Sequence, residues 1–259
     1  KFMKYFMLIL LGLSLGMTFG TVAQAEVDLE ACIGAWLFDE GKGNKAEDAS
    51  GKDNHGKIGG AKWVKGKFGQ ALDFNGKGDF VEIPDSDSLT KDLEEITILA
   101  WAHLKRAVTE GTWNALVGKK PYTSGYLMWL EVPAQPSGLV FSPARHDDRA
   151  NSQLELKKWY HLGFTRAQKG DMKFYIDGKL VTEAKSAAGP IATKPAPIMI
   201  AGQSGQTFEG LIDEVMLFSK ALDGKDVNQL MTQGFKASVT AVSPKEKLAT
   251  TWSKLKLVR

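Results

Sequence analysis

The run nearest to a catalytic carboxylate pattern on a strand-like stretch is Glu209-Gly210-Leu211-Ile212-Asp213-Glu214. Two carboxylates ~5–5.5 Å apart on one face would suit a retaining cleavage of a glycosidic bond. Strand alternation demands even spacing for a shared face. Glu209 and Asp213 are four apart, but Leu211 stands between them. A slip of apolar phase after Ile212 is expected to break their shared face, as a β-bulge does. Asp85-Ser86-Asp87 and Asp92-Leu93-Glu94-Glu95 lie in turn-like stretches. No catalytic pair is predicted.

Other reactive groups are sparse. No G-x-S-x-G elbow occurs, and Cys32 sits in an apolar stretch where a thiol is expected to be inert. His55, His103, His146 and His161 lack metal-ligand spacing. His161, beside Trp159, reads as a core or rim hydrogen-bonding residue, and His146-Asp147-Asp148-Arg149 as a solvated turn. Aromatic rings remain, and they could stack on flat apolar ligand faces. Trp101 and Trp159 read as core. Trp113, Tyr122 and Tyr126, near Gly and Pro, are the candidates for an exposed binding rim, since loops on a rigid scaffold carry recognition.

The elements that would position these groups are short strands. Ile33–Phe38 is apolar on both faces and should lie between two layers. Ile96–Leu104, Ala115–Gly118, Gly125–Val132, Gly138–Phe141, Trp159–Thr165, Met172–Ile176, Lys179–Val181 and Ile198–Ala201 follow. Asp177-Gly178 is a two-residue hairpin signal. Phe208–Met231 reads as a strand with a bulge that runs into a helix. Asp223 is its expected N-cap, Val227, Leu230 and Met231 share one face, and Gly234 marks its end. Ten to twelve short strands with Gly-rich connections predict an all-β antiparallel sandwich in one domain.

Several phrases carry a family resemblance. Phe208, Gly210, Ile212, Asp213, Glu214, Val215, Ala221 and Leu222 fit F-x-G-x-I-D-E-V and its A-L sequel. Gly66–Gly76 fits G-K-F-G-x-A-L-x-F-x-G, and Asp48–Gly56 fits D-x-S-G-x-x-N-x-G. Trp159-Tyr160-His161 and Tyr175-Ile176-Asp177-Gly178-Lys179 match a W-x-H strand and its hairpin. From about residue 33 to 233 the chain resembles laminin-G-like domains of the concanavalin A-like lectin/glucanase group. That resemblance implies a jelly-roll sandwich with one short C-terminal helix. It also implies a rim Ca²⁺ held by an Asp plus carbonyls, for which Asp48, Asn54 and Asp213 are the matching residues.

The ends differ from the body. Residues 1–25 combine Lys1 and Lys4, an apolar run and Ala23-Gln24-Ala25, the build of a cleaved secretory signal and not of a transmembrane span. A secreted or extracytoplasmic domain over 26–235 and a basic tail over 236–259 are expected. The formal charge is +3. Lys236, Lys245, Lys247, Lys254, Lys256 and Arg259 face only Glu246 in the tail, so the body is acidic and no nucleic-acid partner is indicated. Cys32 reads as a buried free thiol, in preference to a lipidated cysteine. The expected function is a non-catalytic lectin-like module that binds a glycan or extracellular polymer. The alternatives are a structural or protein-interaction module of the cell surface and, third, a glycoside hydrolase of the same group.

Overall fold

A computed structural model describes residues 27–91, 93–107, 114–131, 135–141, 145–150, 152–203 and 206–240. Residues 1–25, expected as a secretory signal, Trp113 and the tail beyond 240 lie outside the described residues. The first strands are β1 (Cys32–Trp36), β2 (Lys45–Ala46), β3 (Gly56–Gly59), β4 (Lys62–Lys65), β5 (Gln70–Asn75) and β6 (Phe80–Ile83). A short helix, α1 (Asp87–Thr90), leads to β7 (Ile96–Leu104), β8 (Asn114–Lys119) and β9 (Tyr126–Glu131). Then come β10 (Gln135–Phe141), β11 (Arg145–Arg149), β12 (Trp159–Arg166), β13 (Asp171–Ile176) and β14 (Lys179–Lys185). The chain closes through β15 (Ile198–Ile200), β16 (Gly202–Gln203), β17 (Gln206–Thr207), β18 (Glu209–Phe218) and α2 (Gly224–Thr240).

Two antiparallel sheets face each other. The first runs β14-β13-β12-β7-β18-β5-β4, with β1 also on β18; the second runs β11-β10-β9-β8-β15-β6-β3-β2. The expected sandwich is present with more strands than read, in part because two-residue strands such as β2 and β16 are too short to show a period. Residues 146–149, expected as a solvated turn, belong to the edge strand Arg145–Arg149 on β10. Strand pairing captured a polar run that turn chemistry alone would have left free.

Alternation divides β7 between two layers. Ile96, Ile98, Ala100, Ala102 and Leu104 enter the sandwich interior, while Leu99 joins a second cluster under α2. β1 does the same: Ile33 and Trp36 point inward, Cys32 and Ala35 toward the helix layer. That is why 33–38 is apolar throughout. Cys32 is wholly buried and its thiol is pushed up to about 12 by desolvation.

The closing segment follows its sequence signals closely. β18 slips register between Asp213 and Met216, with Glu214 at φ 49. Asp223 Oδ1 accepts the N–H groups of Lys225 (2.8 Å) and Asp226 (3.0 Å), a side-chain N-cap. Gly234, expected to end the helix, adopts φ 72 and breaks it, but helical turns resume to Thr240. Phe235 and Ser238 are buried there, so packing carries the chain past its glycine stop. The Asp177-Gly178 turn has φ 49 and 72, as a primed hairpin turn requires.

Candidate functional site

The outer face of the first sheet carries two W-x-H segments on neighbouring antiparallel strands. Trp101 is opposite His161, and His103 opposite Trp159. Ring centroids are 5.3 Å apart in the first pair and 5.5 Å in the second. Across β18 the rows continue through Asp213, opposite Trp101, and Leu211, opposite His103. Asp73 and Lys62 extend the second row. Period-two alternation keeps all of these on the face turned away from the sandwich interior.

Two kinds of cover divide this face. α2 takes one end, over Leu99, Tyr175 and Met216. Beside it, the turn before β5 places Lys67 Nζ 4.1 Å from the Trp101 ring centroid and Phe68 edge-on at 6.4 Å. Trp101, His161 and Asp213 are thereby almost entirely buried. His103, Trp159 and Leu211 are half-buried. Beyond them lies a groove of about 390 Å³ whose lining includes Lys62, Asp73, Lys77, Lys105 and Glu209.

The turn is fastened by Asp213, whose Oδ2 accepts the N–H groups of Lys67 (2.9 Å) and Phe68 (3.0 Å). Gly66 is required there: a Cβ would lie 2.4 Å from the Gln70 carbonyl oxygen and 2.6 Å from Asp213 Oδ2. Glu214, the bulge residue, turns its Oε2 to the Phe235 N–H at 3.0 Å. Burial pushes Asp213 up to about 7, and the Glu214 charge adds to the shift while the N–H groups oppose it. Burial likewise pushes Glu214 up to about 7. His161 is driven down to about 3 by burial and, secondarily, by Lys67, so its imidazole is neutral.

Four buried polar atoms here have no hydrogen-bond partner: Trp101 Nε1, His103 Nδ1, His161 Nδ1 and Asp213 Oδ1. Buried polar atoms are ordinarily paired, and an unpaired one costs ~1–3 kcal/mol. Among the described residues just one other such atom occurs, Glu40 Oε2. Their concentration on one face marks it as the candidate site.

The sequence-based candidates are not brought together. Tyr126 is in the interior with its hydroxyl on the Leu89 carbonyl oxygen at 3.2 Å. It is therefore not a rim residue: alternation on β9 turns it inward. Tyr122 packs beside Ala115, Leu127 and Trp129 on the outer face of the second sheet. Asp48 spends both oxygens on Ala35 N, Ser50 N, Ser50 Oγ and Asn54 N. The Asn54 side chain bonds the Ile33 carbonyl oxygen, Ser86 and Ser88. Asp213 belongs to the separate Lys67–Phe68 turn. Asp48, Asn54 and Asp213 thus do not fit one calcium cage, and no metal-ligand cluster of His, Cys, Asp and Glu occurs among the described residues.

The bulge lies at the expected phase slip, but the register changes only after Asp213, so Glu209 and Asp213 do share a face. Four residues at ~3.3 Å each place them ~13 Å apart, too far for a carboxylate pair. Glu209 is also held by Arg106 at 2.7 Å. Trp101 is buried as expected, but beneath the Lys67–Phe68 turn and not between the sheets, while Trp159, also expected in the core, is half-buried on the outer face. The W-x-H spacing in both strands was the available signal.

Two facing antiparallel sheets with one helix near the C-terminus make a concanavalin A-like sandwich. The family model described as the concanavalin A-like lectin/glucanases superfamily matches residues 75–228, and the chain belongs to that superfamily. No curated protein matches it in sequence. Among solved structures, domain 4 of AbnA, an extracellular GH43 arabinanase from Geobacillus stearothermophilus in complex with arabinotriose, is similar at TM-score 0.61 and 20% identity. That likeness covers 77% of this chain and 98% of that one. The binding domain of Paraclostridial Mosquitocidal Protein 1 has TM-score 0.65 and 16% identity, covering 78% of this chain and 52% of that one. A botulinum neurotoxin DC binding domain, in complex with rat synaptotagmin II, has TM-score 0.61 and 17% identity, covering 79% and 52%. No helix among the described residues is long and apolar enough to cross a membrane.

Proposed function

We propose that this chain is a non-catalytic carbohydrate-binding module that works outside the cytoplasm and engages its glycan on the outer face of the first sheet. The observation that carries this reading is the half-buried Trp159–His103 pair, an aromatic platform beside an imidazole whose Nδ1 has no partner. A sugar ring presents an apolar face for stacking and hydroxyls at its edge, and Trp with an adjacent polar atom matches both. The arabinanase domain with its bound arabinotriose makes glycan the favoured ligand class on this scaffold. The signal-like residues 1–25 agree with an extracytoplasmic site of action.

Affinity electrophoresis on soluble polysaccharides tests it. Wild-type protein should be retarded by at least one of them, and Trp159→Ala should lose that retardation with its thermal midpoint kept. Free migration in every polysaccharide, or equal retardation of the variant, would refute the assignment.

A further inference from the structure

Resting on that reading, we infer that Asp213, Trp101 and His161 form a subsite beneath Lys67 that receives an uncharged hydroxyl group of the sugar. The three residues occupy one cross-strand row on β18, β7 and β12, and each is more than nine-tenths buried. Each also has a polar atom without a partner: Asp213 Oδ1, Trp101 Nε1 and His161 Nδ1. Side chains directly opposite on neighbouring strands sit ~4.5–5.5 Å apart at Cβ, so one small group can address two of them.

The chemistry of these atoms selects the ligand. An indole N–H only donates, and the Asp213 carboxylate, once ionised above its pKa of about 7, only accepts. A group that satisfies both must accept and donate at once, as a hydroxyl does. A carboxylate or sulfate could accept from Trp101 but would meet the charge of Asp213. An ammonium could donate to Asp213 but would have nothing to accept with, and would meet Lys67 above the same indole. The opposed charges of Lys67 and Asp213 therefore leave room for a neutral donor–acceptor. Lys67 is itself exposed, and its side chain is a flexible stem that can swing aside without disturbing the sheet. The Asp213 hydrogen bonds hold the turn through its backbone, not through the Lys67 side chain. Swinging Lys67 off the Trp101 ring thus costs one cation–π contact and no backbone bond, with Phe68 left at the ring's edge.

The experiment, run at pH 8.5 so that Asp213 is ionised, measures dissociation constants for arabinan, xylan and mixed-linkage glucan as neutral probes, polygalacturonate as the anionic probe and chitosan, quaternised to keep its charge, as the cationic one. Binding should be confined to a neutral probe. Asp213→Asn keeps an oxygen for the Lys67 and Phe68 N–H groups but replaces the free acceptor with a donor. It should weaken that binding about tenfold or more, the size of one hydrogen bond to a charged group, with the thermal midpoint retained. Trp101→Phe, which removes the N–H and keeps a ring, should weaken it likewise, whereas Lys67→Ala should keep or strengthen it. Preference for polygalacturonate or chitosan, or loss of binding in Lys67→Ala, would overturn the subsite. Full affinity in both Asp213→Asn and Trp101→Phe while Trp159→Ala fails to bind would also overturn it and leave the glycan-binding face standing. A wild-type protein that binds no probe would remove both readings.

Discussion

Asp213 accepts the backbone N–H of Phe68 at 3.0 Å, joining two segments 145 residues apart. With the Lys67 N–H at 2.9 Å, this carboxylate fastens the turn before β5 to the bulge of β18. Two phrases that the sequence repeats from its family, around Gly66–Gly76 and Phe208–Val215, therefore meet in one place. Replacing Asp213 with Ala strands two donors over the sheet. A loss of ~2–4 kcal/mol is expected, from one to two unmet buried groups. Urea unfolding checks it: Asp213→Ala should fall well below wild type, and Asp213→Asn should stay near it.

The pH dependence of stability has two opposed parts. Asp213 and Glu214 titrate near 7 in the fold, above their ordinary values of 3.8 and 4.5. Their contribution is fully present below pH about 4 and is lost as pH rises through about 7. His161 is shifted the other way, from 6.5 to about 3. Its contribution is present above 6.5 and lost as pH falls toward 3. Between pH 4 and 6.5 the two slopes oppose each other. Glu214→Gln should therefore make stability rise more with pH, and His161→Phe should make it fall more. Thermal midpoints read every half pH unit across that window distinguish the two variants by the sign of the change.

Cys32 offers a simpler check, because it is the chain's sole cysteine. Its thiol is wholly buried and its ionisation is suppressed. A thiol reagent such as DTNB should find no reactive group in the native protein at pH 8 and one equivalent in guanidinium chloride. Rapid native labelling would place Cys32 at the surface.

A buried cation ties the second sheet to its loops. Lys119 is fully buried and donates to Asp85 Oδ1 at 2.7 Å, to Thr90 Oγ1 and to the Ala196 carbonyl oxygen at 3.0 Å. Burial lowers the Lys119 pKa, and Asp85 opposes that shift. Lys119→Met keeps the length of the stem and removes the charge. Because Asp85 is partly exposed, the cost is set near the lower end for a broken buried pair, ~3 kcal/mol. Calorimetry should show a lower midpoint, and an unchanged one would mean that the pair contributes nothing net.

The fold was legible in the sequence wherever an element announced itself by period or turn chemistry. β7 is legible at its true bounds because nine mostly apolar residues run between turn-like stretches, and the Asp223 cap and Asp177-Gly178 turn have local causes. The site was not legible to the same degree. Trp101 and Trp159 looked like core residues because an apolar run on both faces does not say which layer covers which face. Here α2 and the Lys67–Phe68 turn supply a layer that arrives from distant sequence. Tyr126 was misplaced for the complementary reason, since nearby Gly and Pro suggested exposure while strand phase decided the direction. Asp48 looked like a metal ligand, yet its neighbours in the loop present N–H groups and a hydroxyl, donors that a carboxylate satisfies by itself.

Tyr126 gives the sharpest contrast with the outer-face rings. It is fully buried among interior side chains, and its hydroxyl, held by the Leu89 carbonyl oxygen, is pushed above its ordinary pKa by desolvation. Removing the ring leaves a cavity between the sheets, which for a large aromatic costs ~3–5 kcal/mol. Removing the hydroxyl alone forfeits one neutral hydrogen bond, ~0.5–1.5 kcal/mol. Tyr126→Ala should therefore unfold at much lower urea than Tyr126→Phe, and Tyr126→Phe should bind glycan as wild type does. Trp159→Ala should show the reverse pattern, with stability nearly kept and binding weakened by ~1–3 kcal/mol as an exposed aromatic anchor is lost. Measured together by urea titration and affinity electrophoresis, the two positions separate packing from recognition. If Tyr126→Phe lost binding while Trp159→Ala kept it, the ligand would lie against the interior end of β9 and the outer face would be excluded.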